Sequence, residues 1–130
     1  MTTDVVLGFD VGTRRTGVAI ANAVTRTARP LGSFDSTTQA ARWSAVQALV
    51  DEWQPDALVV GVPRHPDGTP HAMTERCQRF ARQLEGRYRL PVARVDERYS
   101  SAAAADADDV DAGAAAVILQ QWLDEGEQHA

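Results

Sequence analysis

The chain has 130 residues, of which 44% are hydrophobic and 24% are charged, a composition typical of one globular domain over residues 1–130. No apolar run is long enough to cross a membrane, and the first residues lack the pattern of a secretory signal. The single cysteine, Cys77, excludes an internal disulfide bond. We therefore expect a cytoplasmic protein with no membrane partner.

The net charge of −5 disfavours a nucleic-acid partner at first sight, but the charges are unevenly distributed. All 13 basic residues are arginines, and they lie within residues 1–100 together with 11 acidic residues, a net charge of +2. Residues 101–130 hold the other seven acidic residues and no Lys or Arg. Bound divalent cations would add positive charge that the sequence does not show. The overall acidity therefore does not exclude a nucleic-acid partner.

The first part of the chain has the pattern of an antiparallel meander. Residues 5–9 form an apolar run that ends at Asp10 and predicts a buried strand. Residues 12–17 predict a turn, and residues 18–21 predict a second strand that forms a hairpin with the first. A third strand is expected over residues 28–34.

The rest of the chain alternates helices and strands. Apolar residues at helical spacing, and short apolar runs between them, indicate these elements. Pro70 is expected at the first position of the middle helix, and Gly86 at its end. Helices are predicted over residues 38–53, 71–87 and 110–124, and strands over residues 57–60 and 92–95.

This order predicts an α/β fold with a mixed five-stranded sheet flanked by helices, in which an opening antiparallel meander is followed by parallel strands. In open α/β sheets, ligands bind beyond the carboxyl ends of the parallel strands. Asp10 and Glu97 each follow such a strand, so we expect the functional site at this edge of the sheet.

Three acidic residues are candidates for a metal-dependent phosphodiester hydrolysis, which needs an activated water and neutralised charge on the phosphate. Asp10, Glu97 and Asp111 come from separate elements and supply the carboxylate oxygens that Mg²⁺ prefers. On a helix, Asp111 shares a face with Ala115 and Ile118, where a carboxylate is costly unless it has a partner such as a metal. The alternatives are a turn cap for Asp10, a surface ion pair with a neighbouring arginine for Glu97, and a helix cap for Asp111.

Basic and hydroxyl side chains near these acids are candidates for substrate binding. Arg14 and Arg15 lie on the hairpin beside Asp10 and can hold phosphates as bidentate donors, although a solvated turn explains them equally well. Ser100 is a candidate contact to the substrate backbone, with capping of the next helix as the alternative. A further group on the middle helix is interpreted as a solvated face: Arg76, Arg79 and Arg82.

Four blocks of the sequence, in order, resemble the YqgF (RuvX) family, whose members are described as Holliday junction resolvases and as pre-16S rRNA nucleases. The resemblance covers nearly the whole chain. The blocks are GFDVGTRRTGVA at residues 8–19, VGVP with DGT at residues 60–63 and 67–69, DERYSS at residues 96–101, and DAGAAAVILQ at residues 111–120.

The resemblance implies an RNase H-like fold and a nuclease that uses Mg²⁺ or Mn²⁺ on structured nucleic acid. Precursor 16S rRNA, in the maturation of its 5′ end, and branched DNA are the implied substrates, and Asp10, Glu97 and Asp111 are the implied catalytic carboxylates and metal ligands. We expect a monomer or a weak homodimer, although a junction resolvase would need two active sites and hence a dimer.

One segment departs from the family pattern. Only 13 residues separate Glu97 from Asp111, and Arg98 is the one basic residue among them, whereas family members usually have a longer segment, often with basic residues. A non-catalytic RNA-binding factor of the same fold is therefore an alternative. The Asp-Val-Gly-Thr hairpin also resembles the phosphate loop of actin-like ATPases and sugar kinases, but those proteins use two such domains around one nucleotide.

Overall fold

The structure is a computed structural model, and it describes residues 5–22, 24–65, 67–97 and 110–128, except for the side chains of Glu97 and of residues 126–128. The elements follow the predicted order. No helix in the described part of the chain is long and apolar enough to cross a membrane. The strands are β1 (Val5–Val11), β2 (Arg15–Asn22), β3 (Thr27–Asp35), β4 (Ala57–Pro63) and β5 (Val92–Glu97), and the helices are α1 (Gln39–Trp53), α2 (Thr74–Tyr88) and α3 (Val110–Gln128).

The five strands form one mixed sheet in the order β3-β2-β1-β4-β5. The first three strands pair antiparallel, while β1–β4 and β4–β5 pair parallel. The predicted meander followed by parallel strands is therefore confirmed. The parallel arrangement arises because a helix carries the chain back across the sheet before each of the last two strands.

Two apolar layers cover the two faces of the sheet. Alternate residues of β1, such as Leu7 and Phe9, pack against α1 and α2 on one face. On the other face Val6 and its neighbours pack against α3, where Ile118 and Leu119 are fully buried. Because side chains of a strand alternate between the faces, the even-numbered positions of β1 lie under α3.

Helix α3 lies very close to the sheet because glycines replace side chains beneath it. A Cβ atom on Gly8 would lie 2.9 Å from the Cβ of Leu119. A Cβ atom on Gly17, in the neighbouring strand, would lie 1.9 Å from the carbonyl oxygen of Asp111. Real side chains do not approach so closely, so these two positions require glycine for α3 to pack as it does.

The predicted bounds of α2 are wrong at both ends. The helix begins at Thr74, not at residue 71, because Pro70 forms an isolated β-bridge with Arg64 and the hydroxyl of Thr74 accepts from the His71 backbone. Gly86 lies inside the helix, which ends instead where Arg89 takes a left-handed conformation (φ 55°).

Other elements are longer than predicted. Strand β1 continues to Val11 and β5 to Glu97, so the two acidic residues lie within the last positions of their strands and not beyond them. Strand β4 extends to Pro63, and α3 extends to Gln128. Pairing with the neighbouring strands holds the extra residues of β1, β4 and β5, which local composition alone does not indicate.

Candidate active site

Asp10 and Glu97 lie at the same edge of the sheet, with β4 between their strands. Phe9 pairs with Val60, and Pro63 pairs with Glu97, so the carboxyl ends of β1, β4 and β5 lie side by side. Gly61, the residue of β4 that follows Val60, has no side chain on the face of the sheet that carries Asp10. The sheet therefore brings the ends of the two acid-bearing strands together, as the sequence predicts.

The alternation along β5 distinguishes Glu97 from Asp96, the other acid of the same motif. Position 97 is in phase with Ala93 and Val95, which pack under α3. Asp96 is out of phase with them, and its carboxylate lies 3.8 Å from the Nε of Arg64. The backbone thus places position 97, and not position 96, on the face of the sheet that carries Asp10.

Arg94, one of the two neighbouring arginines that could pair with Glu97, has another carboxylate as a partner. The guanidinium of Arg94 donates hydrogen bonds of 3.0 and 2.9 Å to the two carboxylate oxygens of Glu85. The side chain of Glu97 lies outside the described part of the structure, as do Arg98 and Ser100. The predicted roles of Glu97 and Ser100 therefore stay predictions.

Asp111 reaches the same edge through the first turn of α3. Its carbonyl oxygen occupies the place that a Cβ of Gly17 would take, and Gly17 is the antiparallel pairing partner of Asp10. Two acidic residues 101 positions apart in the chain are therefore separated by one strand pairing and one helix contact. The side chain of Asp111 is 42% exposed, so solvent and solutes reach it although Ala115, one turn later, is fully buried.

Arg15 lies next to Asp111. The two side chains approach to 3.8 Å between Nε and Oδ2. The guanidinium of Arg15 also donates to the hydroxyl of Ser33 on β3, with a distance of 3.1 Å from Nε. Arg15 is 57% exposed, so it retains contact with solvent. Arg15, which the sequence predicts to bind substrate, therefore lies between Ser33 of β3 and Asp111 of α3, a candidate metal ligand.

The hairpin that joins β1 to β2 is tightly constrained. A Cβ on Gly12 would lie 2.3 Å from the carbonyl oxygen of Arg15, so the turn needs glycine there. The carbonyl oxygen of Arg14 accepts a 2.8 Å hydrogen bond from the backbone of Ser36, while the Arg14 side chain is exposed. Ser36, fully buried, also donates from its hydroxyl to the carbonyl of Gly12 at 3.3 Å.

Ser36 and Thr74 are two supporting residues that the sequence analysis missed. The hydroxyl of Thr74 donates a 2.5 Å hydrogen bond to the carbonyl of Pro63, the residue that pairs with Glu97. Ser36 directly follows β3 and Thr74 begins α2, and small polar residues at such positions commonly serve as caps or turn anchors. That signal indicates a local role, but only the fold shows that both hydroxyls support the edge with the acidic residues.

Two of the three predicted metal ligands, Asp10 and Asp111, have side chains that the structure describes. Among the side chains that the structure describes, no group of three His, Cys, Asp or Glu side chains is placed to share a metal ion. The predicted set includes Glu97, whose side chain is not among them. The donors of Asp10 and Asp111 are carboxylate oxygens, which fit a hard divalent cation such as Mg²⁺.

Comparison with known proteins identifies the family. Residues 4–125 match the family model RuvX, described as Holliday junction resolvase. A Burkholderia ambifaria protein named "Putative pre-16S rRNA nuclease" is 52% identical over 136 aligned positions, covering 95% of this chain and 91% of the relative. A Burkholderia mallei protein of the same name is 54% identical over 127 positions, covering 92% and 87%.

Solved structures confirm the fold. Thermus thermophilus RuvC in complex with Holliday junction substrate matches with a TM-score of 0.62 and 15% identity, covering 95% of this chain and 96% of that chain. The fowlpox virus Holliday junction resolvase matches with a TM-score of 0.61 and 14% identity, covering 95% and 99%. The predicted RNase H-like architecture is therefore confirmed, and the match over most of the sequence shows that the chain belongs to the RuvX family.

Proposed function

We propose that this protein is a metal-dependent nuclease that hydrolyses phosphodiester bonds in structured nucleic acid, with precursor 16S rRNA as its substrate in 5′-end maturation. The observation that carries the proposal is the packing of the Asp111 backbone against Gly17, the strand partner of Asp10. This packing joins acidic residues from opposite ends of the chain at one accessible edge of the sheet. The names of the Burkholderia relatives support precursor rRNA as the substrate.

The proposed metal ligands are Asp10, Glu97 and Asp111. Their carboxylates are the oxygen donors that Mg²⁺ and Mn²⁺ prefer, and the exposure of Asp111 leaves the edge open to ions and substrate. Bound divalent ions would supply an activated water and stabilise the charge that develops on the phosphate. The role of the protein residues is to hold this donor set at a fixed geometry beside the substrate.

Arg15 and Arg14 are proposed to bind the substrate next to these ligands. A guanidinium has five N–H donors, so Arg15 can contact Ser33 and Asp111 while its other donors face a phosphate. Arg14 adds a second exposed positive charge on the same hairpin. Ser100 is proposed to contact the substrate backbone, and an rRNA-processing role is consistent with a cytoplasmic protein.

The second candidate function is Holliday junction resolution, which the description of the family model favours. Two cuts in a junction require two active sites and therefore a dimer. We favour rRNA because the relatives named for it share about half of their residues with this chain, and we propose a monomer or weak homodimer.

The test incubates the purified chain with an end-labelled precursor 16S rRNA fragment or a four-way DNA junction, with Mg²⁺, with Mn²⁺ or with a chelator. We expect metal-dependent cleavage of the RNA that is lost in Asp10→Asn. Asp51→Asn is the matched control because Asp51 lies exposed on α1, away from the acidic edge, and accepts a hydrogen bond from Gln47 one turn earlier on the same helix. Binding without cleavage in every condition would contradict the nuclease and support an RNA-binding factor, and preferential junction cleavage would support the resolvase.

A further inference from the structure

A basic cleft lies between α1 and α2, on the face of the sheet opposite α3. We call it the arginine cleft, and its volume is about 440 Å³. It is lined by Gln39 and Arg42 of α1 and by Glu75, Arg76, Arg79 and Gln83 of α2. Three of its six lining residues are therefore arginines, and they come from two helices, with Arg42 lying 34 positions before Arg76 in the sequence.

The positive charge of the arginine cleft is not neutralised by its one acidic residue. Glu75 forms an ion pair of 2.9 Å with Arg82, outside the cleft. The guanidinium groups of Arg76 and Arg79 have no hydrogen bond or ion pair with any residue that the structure describes. The three arginines that the sequence analysis interprets as one solvated face, Arg76, Arg79 and Arg82, therefore differ in their surroundings. Arg82 is paired with Glu75, while the other two face Arg42 across the cleft.

Arg42 is the most constrained of the three arginines. Burial and the nearby charge of Arg76 lower the pKa of Arg42 from its ordinary value. Its guanidinium lies 5.9 Å from the ring of Phe80, and its buried Nε donor has no hydrogen-bond partner within the described residues. A half-buried, always protonated side chain beside a second positive charge is costly unless an anion joins them.

Hydrogen bonds connect both helices of the arginine cleft to the candidate active site. On the α1 side, Arg42 contacts the carbonyl of Ser36 at 3.5 Å, and Ser36 bonds to the hairpin that follows Asp10. On the α2 side, Thr74 precedes Arg76 by two residues and bonds to Pro63, the pairing partner of Glu97. The cleft therefore opens at the same edge of the sheet as the acidic residues.

We propose that the arginine cleft binds a backbone phosphate of the nucleic-acid substrate, so that the strand crosses the edge of the sheet between this cleft and the acidic residues. This inference rests on the proposed function for the identity of the ligand. The planar guanidinium groups match the bidentate geometry of a phosphodiester, and contacts of this kind position a nucleic acid without reading its sequence.

The test compares two double variants of the full chain, both in an Asp10→Asn background that keeps the substrate intact. Arg76→Gln/Arg79→Gln removes two charges from the cleft. Arg29→Gln/Arg94→Gln is the matched control, because it removes the same charge from β3 and β5, where Arg94 is paired with Glu85. Urea unfolding of each variant confirms that the fold is retained.

The measured quantity is the Kd for the precursor rRNA fragment as a function of salt concentration. We expect the cleft variant to bind about tenfold more weakly, with the slope of log K against log salt reduced by about 0.7–0.9 for each lost phosphate contact. The control variant should retain the wild-type slope. Equal changes in both variants would overturn the proposal, because net charge alone would then explain the effect.

Titration with inorganic phosphate distinguishes a free anion from a nucleic acid as the ligand. If wild type binds phosphate and the cleft variant does not, while its affinity for RNA equals that of the control, the proposal is overturned. Cleavage by wild type is measured separately on the same RNA. If removal of the cleft arginines weakens RNA binding but wild type never cleaves, the arginine-cleft proposal stands and the nuclease proposal is refuted. If wild type cleaves but the cleft variant binds RNA as tightly as the control, only the arginine-cleft proposal is refuted.

Discussion

The carbonyl oxygen of Asp111 lies 1.9 Å from the position that a Cβ of Gly17 would occupy. Gly17 pairs with Asp10 across the first two strands, so this contact sets the distance between the two candidate metal ligands. The helix can approach only because residue 17 has no side chain. Gly17 therefore both allows α3 to pack on the sheet and positions the candidate metal site.

Gly17→Ala is expected to destabilise the fold and to weaken the metal site. The new methyl group overlaps the backbone of Asp111 and Ala112, so the first turn of α3 must move, at a cost of about 1–3 kcal/mol in the free energy of unfolding. Urea unfolding and the Mg²⁺ dependence of cleavage measure the two effects. The matched control is Gly32→Ala, since nothing lies within 4 Å of a Cβ at that position, and equal effects of both changes would contradict the steric explanation.

Arg15→Gln is expected to leave the stability nearly unchanged and to raise the Mg²⁺ concentration needed for cleavage by about tenfold. The ion pair with Asp111 is exposed, so its loss costs at most about 1 kcal/mol of stability. A partner that orients a metal ligand nevertheless affects metal affinity. Arg14→Gln, which removes the same charge from the adjacent residue, should raise the KM for nucleic acid without changing the Mg²⁺ requirement. Identical profiles for the two variants would contradict a positioning role for Arg15.

Thr74→Val is expected to lower the free energy of unfolding by about 1–3 kcal/mol. The buried hydroxyl of Thr74 donates to Pro63 and accepts from His71, so its removal leaves two backbone groups without their partner. Thr74→Ser keeps the hydroxyl and should retain most of the stability. A comparison of urea midpoints measures the difference, and a Ser variant as unstable as the Val variant would assign the effect to the lost methyl group.

The ion pair of Glu85 and Arg94 predicts a pH dependence of stability. Hydrogen bonds from Arg94 hold the pKa of Glu85 below its ordinary value of 4.5. The stabilisation is therefore fully present above pH 4.5 and is lost as the pH falls through the lower pKa of the folded state. Wild type should unfold at a slightly higher urea concentration than Glu85→Gln at neutral pH, and the two midpoints should converge in acid. A constant difference at all pH values would contradict this linkage.

The order of the elements and the three acidic candidates could be predicted from local patterns and motifs. Apolar runs of strand length and apolar residues at helical spacing are visible within short windows of the sequence. They therefore predicted three strands followed by alternating helices and strands. Asp10 was identified as a candidate metal ligand because a carboxylate at the end of an apolar run is unusual. The start of α2 was mispredicted because Pro70 is a local signal, whereas contacts of Pro70 and Thr74 with the end of β4 decide where the helix begins.

Periodicity and motif order are properties of a linear chain, and they were enough to predict the fold class and to identify Asp10, Glu97 and Asp111 as candidates. Three relationships depend on the three-dimensional packing: Asp111 packs on the strand partner of Asp10, Arg15 lies beside Asp111, and Arg42 faces Arg76 and Arg79. These relationships join residues that are distant in sequence, and they depend on how closely helices approach the sheet. Glycines at two buried positions allow that approach for α3, which no local pattern of hydrophobicity reveals.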